Sequence, residues 1–332
     1  MNDWKEIRKD IIKAYKKCSL CAWDCRIDRF HEEGGCKIGS RSKIFFDGIL
    51  LGEEISIIPT YGIFYMGCNL DCIFCEFGRC FERPWRSQRM SRDAVGARIV
   101  SRKDYFRTLS FVGGEPSLHL LSMINLLAYQ DIGASSVKVL NSNMYFSVQA
   151  REILKEIIDV YIADFHFGND NCASILSGAV EYCSQVMSNI KWALEAGKQV
   201  IFRHLLLPGH GVCCFRKVVD YFKEAPGAQF SLLTNYNPCH RTQGNATINR
   251  RLSAEEIERA ERLLLERGIN TETSQAISYK VNDDPGDEFH EIIIDKEGQI
   301  IIPYVTREML LLAGELVPED KQVRKRKKVL GL

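Results

Sequence analysis

Short apolar runs alternate with longer amphipathic stretches through the middle of the chain. This alternation is typical of repeated βα units around a parallel sheet. Because a closed barrel of this kind has eight such units, fewer units predict an α/β fold with a partial barrel that is open on one side. The apolar runs predict six strands, and hence a partial (β/α)6 barrel: Ile63–Met66, Thr108–Val112, Val137–Asn141, Val160–Phe165, Val200–Leu206 and Gln229–Leu233.

The segments on either side of the barrel have patterns of their own. The N-terminal segment begins with a charged helical stretch and becomes rich in cysteine and glycine, which predicts a small module held together by a ligand. After the sixth strand, Ser253 and Glu256 match a capping box and predict a helix over Glu255–Arg267. We therefore divide the chain into an N-terminal cysteine-rich metal module (1–55), a barrel (56–245) and a C-terminal helix and β-hairpin extension (246–332).

The β-hairpin of the extension is predicted from two apolar runs around a turn. Glu291–Ile294 and Gln299–Ile302 flank the turn residues Asp295 to Gly298. A helical stretch and the basic tail Arg324–Lys328 follow. Basic tails of this kind are usually solvated chain ends, so the tail alone does not predict RNA binding.

Charge and cysteine content narrow the class of protein. The 44 basic and 43 acidic side chains leave a net charge of +1, so no overall field favours nucleic acid or a membrane surface. No run of about 18 apolar residues is present, and Met1–Lys17 lacks the apolar centre of a signal peptide, which predicts a cytoplasmic protein with no membrane partner. Because the cytosol keeps thiols reduced, the 13 cysteines indicate metal or cluster ligation.

The most specific motif follows the first predicted strand. Cys68, Cys72 and Cys75 have the spacing CxxxCxxC, and an aromatic residue precedes the last cysteine. Three thiolates on one loop leave one iron of a four-iron cluster with an unfilled position. The alternative is a zinc knuckle that takes Cys80 as its fourth ligand.

This loop resembles the cluster motif of the radical S-adenosylmethionine (SAM) superfamily. The resemblance implies a partial radical SAM barrel in which the amino and carboxylate groups of SAM chelate the open iron. It also implies that the reduced cluster cleaves SAM to methionine and a 5′-deoxyadenosyl radical, which abstracts a hydrogen atom from the substrate. Cys68, Cys72 and Cys75 are then both metal ligands and the catalytic centre, the protein is sensitive to oxygen, and a flavodoxin or ferredoxin supplies low-potential electrons.

The ends of the second and third strands are the first candidates for SAM contacts. Gly113, Gly114 and Glu115 resemble the superfamily's GGEP motif, in which glycines keep side chains away from the ligand and exposed carbonyls accept from its ammonium group. Asn141 and Ser142 resemble the ribose-binding strand end. The alternative at both places is a structural turn between a strand and a helix that does not contact SAM.

Charged residues end the next two strands. Asp164 is placed for ligand contact, and the planar guanidinium of Arg203 could pair with the SAM carboxylate or with a substrate acid. A buried Arg203–Asp164 structural pair is the alternative. His204 and His210 are weaker candidates, because single histidines are more often structural groups than catalysts.

A second set of cysteines lies in the N-terminal module. Cys18, Cys21, Cys25 and Cys36 offer four thiolates, which suit either a structural zinc ion or an auxiliary iron–sulfur cluster. Free structural cysteines are the alternative. The six cysteines without comparable spacing are assigned no role: Cys80, Cys172, Cys183, Cys213, Cys214 and Cys239.

Residues 18–240 also resemble a subgroup, the iron–sulfur proteins similar to pyruvate formate-lyase activating enzyme. The resemblance rests on both cysteine sets, on Asp159–Phe167 and on Arg203–Gly209; Ala163 and Asn143 depart from the subgroup's usual proline and glycine. It implies a protein or peptide substrate, with radical formation on a partner glycine as one outcome. The alternatives are radical modification of a small metabolite, cofactor precursor or RNA, of which RNA is least favoured, and a non-enzymatic zinc-stapled binding protein.

Overall fold

The computed structural model describes residues 4–50, 52–78, 91–271, 275–280 and 289–294. Nine α-helices are found in this part of the chain: α1 Trp4–Lys16, α2 Arg92–Ser101, α3 Leu120–Leu127, α4 Ile132–Ser135, α5 Val148–Ile157, α6 Asp170–Ser177, α7 Tyr182–Glu195, α8 Arg216–Lys223 and α9 Ala254–Glu266. Short 3₁₀ turns are at Lys103–Tyr105, Pro116–Leu118, Tyr129–Asp131 and Thr242–Gly244, and a π-helical turn spans Gly211–Phe215.

The strands form one seven-stranded sheet in the order of the chain, and a separate two-stranded ribbon. They are β1 Ile44–Leu50, β2 Thr60–Tyr65, β3 Thr108–Gly113, β4 Val137–Ser142, β5 Val160–Asp164, β6 Gln199–Leu205, β7 Gln229–Leu233, and the ribbon strands β8 Gln275–Lys280 and β9 Phe289–Ile294. Strands β2 to β7 run parallel to one another, and β1 pairs with β2 antiparallel. The six predicted strands and the open, partial barrel are thus confirmed.

The strands were predictable because both faces of the sheet are covered. Leu140, Tyr161 and Phe202 belong to the large core under the helices. On the opposite face, Val139, Ile162 and Ile201 contact Ile57 and Ile58 of the segment before β2, in a smaller apolar cluster. Because side chains alternate between faces, Asn141, Asp164 and Arg203 share the inner face with this second cluster, two residues nearer the strand ends.

The N-terminal segment packs closely on the barrel. The hydroxyl of Tyr15 donates to the carbonyl of Leu118 at 3.1 Å, and the guanidinium of the buried Arg29 lies 4.0 Å from the Tyr15 ring centroid. Arg29 also donates to the carbonyl oxygens of Leu118 and Gly39, each at 2.8 Å. Because β1 pairs with β2, residues assigned to the N-terminal module also complete the edge of the sheet.

The C-terminal extension is described in part. The capping box forms as predicted: the Ser253 hydroxyl accepts from the amide of Glu256, whose carboxylate accepts from the amide of Ser253. In the described residues, Glu291–Ile294 pair with β8, and the predicted hairpin partner Gln299–Ile302, the following helix and the basic tail lie outside that part. A search of the same described residues finds no helix that is both long and apolar enough to cross a membrane.

Candidate functional site

Cys68, Cys72 and Cys75 lie on a loop at the carboxyl end of β2, which we call the cluster loop (residues 67–75). Its backbone is held from two sides. The amide of Glu115 donates to the carbonyl of Gly67 at 2.9 Å. The amides of Asp71 and Ile73 donate to carbonyl oxygens at the end of α6, on Ser177 and Leu176, both at 2.9 Å. Backbone hydrogen bonds with Glu115 and with the end of α6 therefore fix the conformation of the loop without any contribution from the three thiols.

The three thiols are in surroundings that disfavour free thiolates. Burial raises the pKa of Cys68 and Cys72 well above the usual value for a thiol, and that of Cys75 to about 11. The negative charges of neighbouring cysteines raise all three further, and Glu115 adds to the effect at Cys68. A bound cation that compensates these charges would make the thiolates stable, which is the behaviour of ligand cysteines.

The loop fits an iron cluster better than a single zinc ion. Among the described residues, one group of cysteine, histidine or acidic side chains gathers its ligand atoms closely enough for one ion, and that group is at Cys213, not in this loop. In a four-iron cluster each thiolate binds a different iron, so its cysteines need not converge on one point. Cys80, the fourth ligand of the zinc alternative, lies outside the described residues.

A side chain beyond the motif contacts the cluster loop directly. The side-chain nitrogen Nδ2 of Asn143 lies 3.6 Å from Sγ of Cys68 and donates to Oδ1 of Asn69 at 2.9 Å. Its own oxygen accepts from the amide of Tyr145, which fixes which way the side chain faces. The amide of Leu70 is a second donor to Cys68, at 3.3 Å. Cys68 thus has two N–H donors near its sulfur.

The glycines of the GGEP motif have a packing role in addition to the predicted one. A Cβ atom at Gly114 would lie 1.9 Å from the carbonyl oxygen of Gly67, and one at Gly113, where φ is +106°, would lie 2.4 Å from that of Tyr65. The Gly114 amide donates to the Tyr65 carbonyl at 2.7 Å. These glycines contact the end of β2 and the start of the cluster loop. Direct approach to SAM stays a prediction.

Glu115 joins the ends of two strands. Its fully buried carboxylate accepts from the Ser142 hydroxyl at 2.8 Å, from the Asn143 amide at 2.9 Å and from the Ser117 amide at 3.0 Å. Burial raises the pKa of Glu115, and these hydrogen bonds oppose that shift. The amides of Asn143 and Ser117 can only donate, so both oxygens of the carboxylate act as acceptors here. Glu115 therefore positions Ser142 and Asn143, and a direct contact of Ser142 with a ribose stays a prediction.

Asn141, Asp164 and Arg203 are brought together on the inner face of the sheet. Nε and Nη2 of Arg203 donate to the two oxygens of Asp164 at 2.6 and 3.0 Å, and Nη2 also donates to Asn141 at 2.7 Å. Nη1 contacts Glu53 at 2.9 Å and Glu54 at 3.6 Å. Although burial opposes it, these carboxylates raise the pKa of Arg203. The structural pair is thus present, and a contact of Arg203 with SAM stays a prediction.

The four N-terminal cysteines face one another. Burial raises the pKa of Cys18, Cys21 and Cys36, that of Cys21 to about 12, and the charges of the other cysteines in the set add to each shift. A Cβ at Gly34 would lie 3.3 Å from Sγ of Cys25 and 3.6 Å from that of Cys36. The set is therefore gathered in space.

This N-terminal set adjoins the cluster loop. The indole nitrogen of Trp23 donates to the carbonyl of Asn69 at 2.6 Å, and Cys21 forms a β-bridge with Phe146. A Cβ at Gly67 would lie 2.5 Å from the Ile38 side chain. Residues within and just after the N-terminal cysteine set thus contact the cluster loop or the segment after β4.

The two histidine candidates differ. His204 is buried, its Nδ1 lies 2.7 Å from the carbonyl oxygen of Phe165, and burial lowers its pKa to about 4, so it is a neutral structural group. His210 lies beside Cys213.

Two residues to which the sequence assigned no role adjoin the loop. Cys239 donates to the carbonyl of Phe74 at 3.2 Å, and the His166 ring meets the Phe74 ring edge-on at 6.0 Å. Their positions after strands β7 and β5 are the one sequence signal that could have found them.

Comparisons with known proteins agree with this site. The model of the radical SAM superfamily matches residues 63–222. An uncharacterized protein of Methanocaldococcus jannaschii is 35% identical over 267 residues, which cover 77% of this chain and 75% of that protein. SuiB of Streptococcus suis, solved with precursor peptide SuiA, aligns at 18% identity with a TM-score of 0.47 over 62% of this chain. A domain of pyruvate-formate lyase-activating enzyme from Bacteroides vulgatus aligns at 14% identity with a TM-score of 0.41, over 50% of this chain and 97% of that domain.

The chain spans 45% of the SuiB chain. The relative from M. jannaschii is matched over most of both chains. The family-model match begins in β2 and takes in the cluster loop, the GGEP turn and Arg203. The chain belongs to the radical SAM superfamily.

Proposed function

We propose that this protein is an enzyme that cleaves SAM reductively at a four-iron cluster held by Cys68, Cys72 and Cys75. The observation that carries the proposal is a loop with three half-buried cysteines, whose backbone donates two hydrogen bonds to the end of α6 and accepts one from Glu115, just after β3. When bound, the cluster and SAM supply a 5′-deoxyadenosyl radical, which abstracts a hydrogen atom from the substrate. A flavodoxin or ferredoxin is the proposed electron donor.

The chain's own residues position these groups. Glu115 holds the ends of β3 and β4 together, and Asn143 faces the sulfur of Cys68. Gly113, Gly114, Asn141, Ser142, Asp164 and Arg203 are the proposed SAM contacts, because they lie at or near the carboxyl ends of β3 to β6, where barrel enzymes bind their ligands. The ion-paired Asp164 and Arg203 would form the floor of that site, on the inner face of the sheet.

The test is production of 5′-deoxyadenosine by the anaerobically reconstituted protein with SAM and a chemical reductant. Cys68→Ala, Cys72→Ala and Cys75→Ala should each abolish production and lower the iron content. Cys183→Ala is the matched control, because this cysteine is buried and its sulfur contacts the carbonyl of Phe167. A colourless protein with no product would favour the zinc-stapled binding protein instead.

For the substrate, we propose a protein or peptide, with hydrogen abstraction from a glycine as the reaction. The support is the resemblance to the activating-enzyme-like subgroup and an open barrel, in which β7 ends the described seven-stranded sheet and has, beyond β6, a single bridge to Thr271. Electron paramagnetic resonance of reaction mixtures with candidate partners should reveal a glycyl radical. Product formation that rises with small metabolites and not with any partner protein would favour the metabolite alternative.

For the N-terminal cysteines, we propose a second metal centre that fastens the module to the cluster loop. The support is the gathering of Cys18, Cys21, Cys25 and Cys36 beside Trp23, which donates to Asn69. Iron and zinc counts on Cys18→Ser/Cys21→Ser separate the two identities. Loss of about four irons indicates an auxiliary cluster, and loss of one zinc indicates a structural ion.

A further inference from the structure

Four side chains outside both cysteine motifs converge where two barrel loops meet. Cys172 lies in the first turn of α6, and His210, Cys213 and Cys214 lie in or next to the π-helical turn after β6. Their ligand atoms are all within 4.8 Å of one another. We propose that these four residues bind a single Zn²⁺ ion with three thiolates and one imidazole.

The distances match one tetrahedral ion. With Zn–S bonds of about 2.3 Å and a Zn–N bond of about 2.0 Å, tetrahedral angles put two sulfurs about 3.8 Å apart and a sulfur and a nitrogen about 3.5 Å apart. The Sγ atom of Cys213 lies 3.9 Å from that of Cys172 and 4.0 Å from that of Cys214. Nδ1 of His210 lies 3.3 Å from Sγ of Cys213 and 3.6 Å from Sγ of Cys214.

The compactness excludes a four-iron cluster, because such a cluster separates its thiolates by binding each to a different iron. Three cysteines and one histidine are a ligand set that tetrahedral zinc prefers. A disulfide between Cys172 and Cys213 would need their sulfurs to approach from 3.9 Å to about 2.0 Å, and it would leave Cys214 and His210 without a function.

The surroundings orient the four ligands. The side-chain oxygen of Asn169 caps α6 at the Cys172 amide, and its amide nitrogen lies 3.2 Å from Sγ of Cys172 and 3.7 Å from Sγ of Cys214. N–H groups facing ligand sulfurs are the usual outer partners of a metal site. A Cβ at Gly168 would lie 2.2 Å from the carbonyl oxygen of Cys214, so only glycine lets the two loops approach this closely.

The place of the site gives the ion a structural function. Cys172 lies in the first turn of α6, and the carbonyl oxygens of Leu176 and Ser177 near the end of this helix accept from the cluster loop. The other three ligands belong to the turn that leads into α8. The ion would therefore tie the β5–α6 and β6–α8 connections together and hold the helix to which the cluster loop is attached.

The test counts zinc in the full chain purified without oxygen. Cys213→Ser/Cys214→Ser should contain one zinc fewer per chain than the wild type, and Cys183→Ser, which alters another buried cysteine, should retain it. Equal zinc in all three proteins, or a Cys172–Cys213 disulfide found by mass spectrometry of the anaerobic protein, would overturn the proposal.

A second measurement does not require the serine variant to fold. Co²⁺ added to the wild-type protein after removal of zinc should give the intense visible absorption of a tetrahedral cobalt thiolate site. His210→Ala should change the ligand-field bands while thiolate-to-cobalt absorption remains, because it replaces the one nitrogen ligand. A His210→Ala spectrum identical to that of the wild type would exclude His210 from the site.

Discussion

The side-chain amide of Asn143 faces the sulfur of Cys68, at 3.6 Å, and is held there by Asn69 and Tyr145. Hydrogen bonds to cluster sulfurs stabilise the more negative, reduced state and raise the reduction potential. Asn143→Ala should therefore lower the potential of the cluster, by on the order of tens of millivolts. Redox titration followed by electron paramagnetic resonance measures the shift.

Asn125→Ala is the matched control for this experiment. It removes the side-chain oxygen that accepts from Arg8 at 3.2 Å on the surface of the protein. The control should keep the wild-type potential. Equal potentials in Asn143→Ala and the wild type would show that this amide does not act on the cluster.

Gly114 provides a steric test of the cluster loop. Because a Cβ at this position would lie 1.9 Å from the Gly67 carbonyl oxygen, Gly114→Ala must displace the start of the loop. We expect a several-fold loss of bound iron after reconstitution. Gly244→Ala, where a Cβ meets nothing within 4 Å, should bind iron as the wild type does. Full iron content in Gly114→Ala would contradict the packing role of this glycine.

Arg203 tests the ion pair on the inner face of the sheet. Removal of one partner of a buried pair typically costs about 3–5 kcal/mol, because the other charge is left uncompensated. Arg203→Ala should lower the free energy of unfolding by that order, and Arg203→Ala/Asp164→Asn should be less destabilised than the sum of the single variants. Denaturant unfolding measures both, and strictly additive losses would show that the two residues are not coupled.

The same position separates a structural role from a role in binding. Arg203→Lys keeps the positive charge but loses the two-pronged contact with Asp164. If Arg203 also holds the SAM carboxylate, the dissociation constant of SAM should rise in this variant more than tenfold, beyond any change in stability. An unchanged dissociation constant would restrict Arg203 to the structural pair.

His204 makes folding depend on pH. Its folded pKa of about 4 is below the ordinary value of 6.5, so the unfolded chain binds the proton more readily. The free energy of unfolding should therefore be highest above pH 6.5 and decrease as the pH falls from about 6.5 to about 4. At pH 5 the decrease due to His204 should be about 2 kcal/mol.

His204→Asn is the variant that isolates this effect. It can keep a donor toward the Phe165 carbonyl, which Nδ1 of His204 contacts at 2.7 Å, but it does not titrate. The difference in free energy of unfolding between pH 7 and pH 5 should be smaller in the variant than in the wild type. Equal differences would show that the pKa of His204 is the same in the folded and the unfolded protein.

The barrel was predictable because its strands are buried on both faces. Runs such as Val200–Leu206 are mainly apolar and are interrupted only by Arg203 and His204, and such runs are typical of parallel strands under helices. The cluster loop was predictable because its three ligands are close in sequence. For Arg203 and Asp164, the sequence left two roles open, since pairing depends on the register between β5 and β6.

Other parts of the site depend on contacts between distant segments. Asn143 and Cys68 are 75 positions apart in the sequence, and Cys172 and Cys213 are 41 positions apart. Neither contact therefore produces a short sequence motif from which it could be predicted. The packing of Gly114 against Gly67 likewise follows from the pairing of β2 with β3. The sequence of a glycine-rich turn is the same whether the glycines allow a ligand or another strand to approach closely.

The most direct test of the central claim is electron–nuclear double resonance on the reduced protein with isotope-labelled SAM. SAM labelled with ¹⁵N in its amino group and ¹⁷O in its carboxylate should show hyperfine coupling of both nuclei to the cluster, because Cys68, Cys72 and Cys75 leave one iron open to chelation. The same spectra without either coupling, from protein that contains a complete four-iron cluster and saturating SAM, would contradict the account.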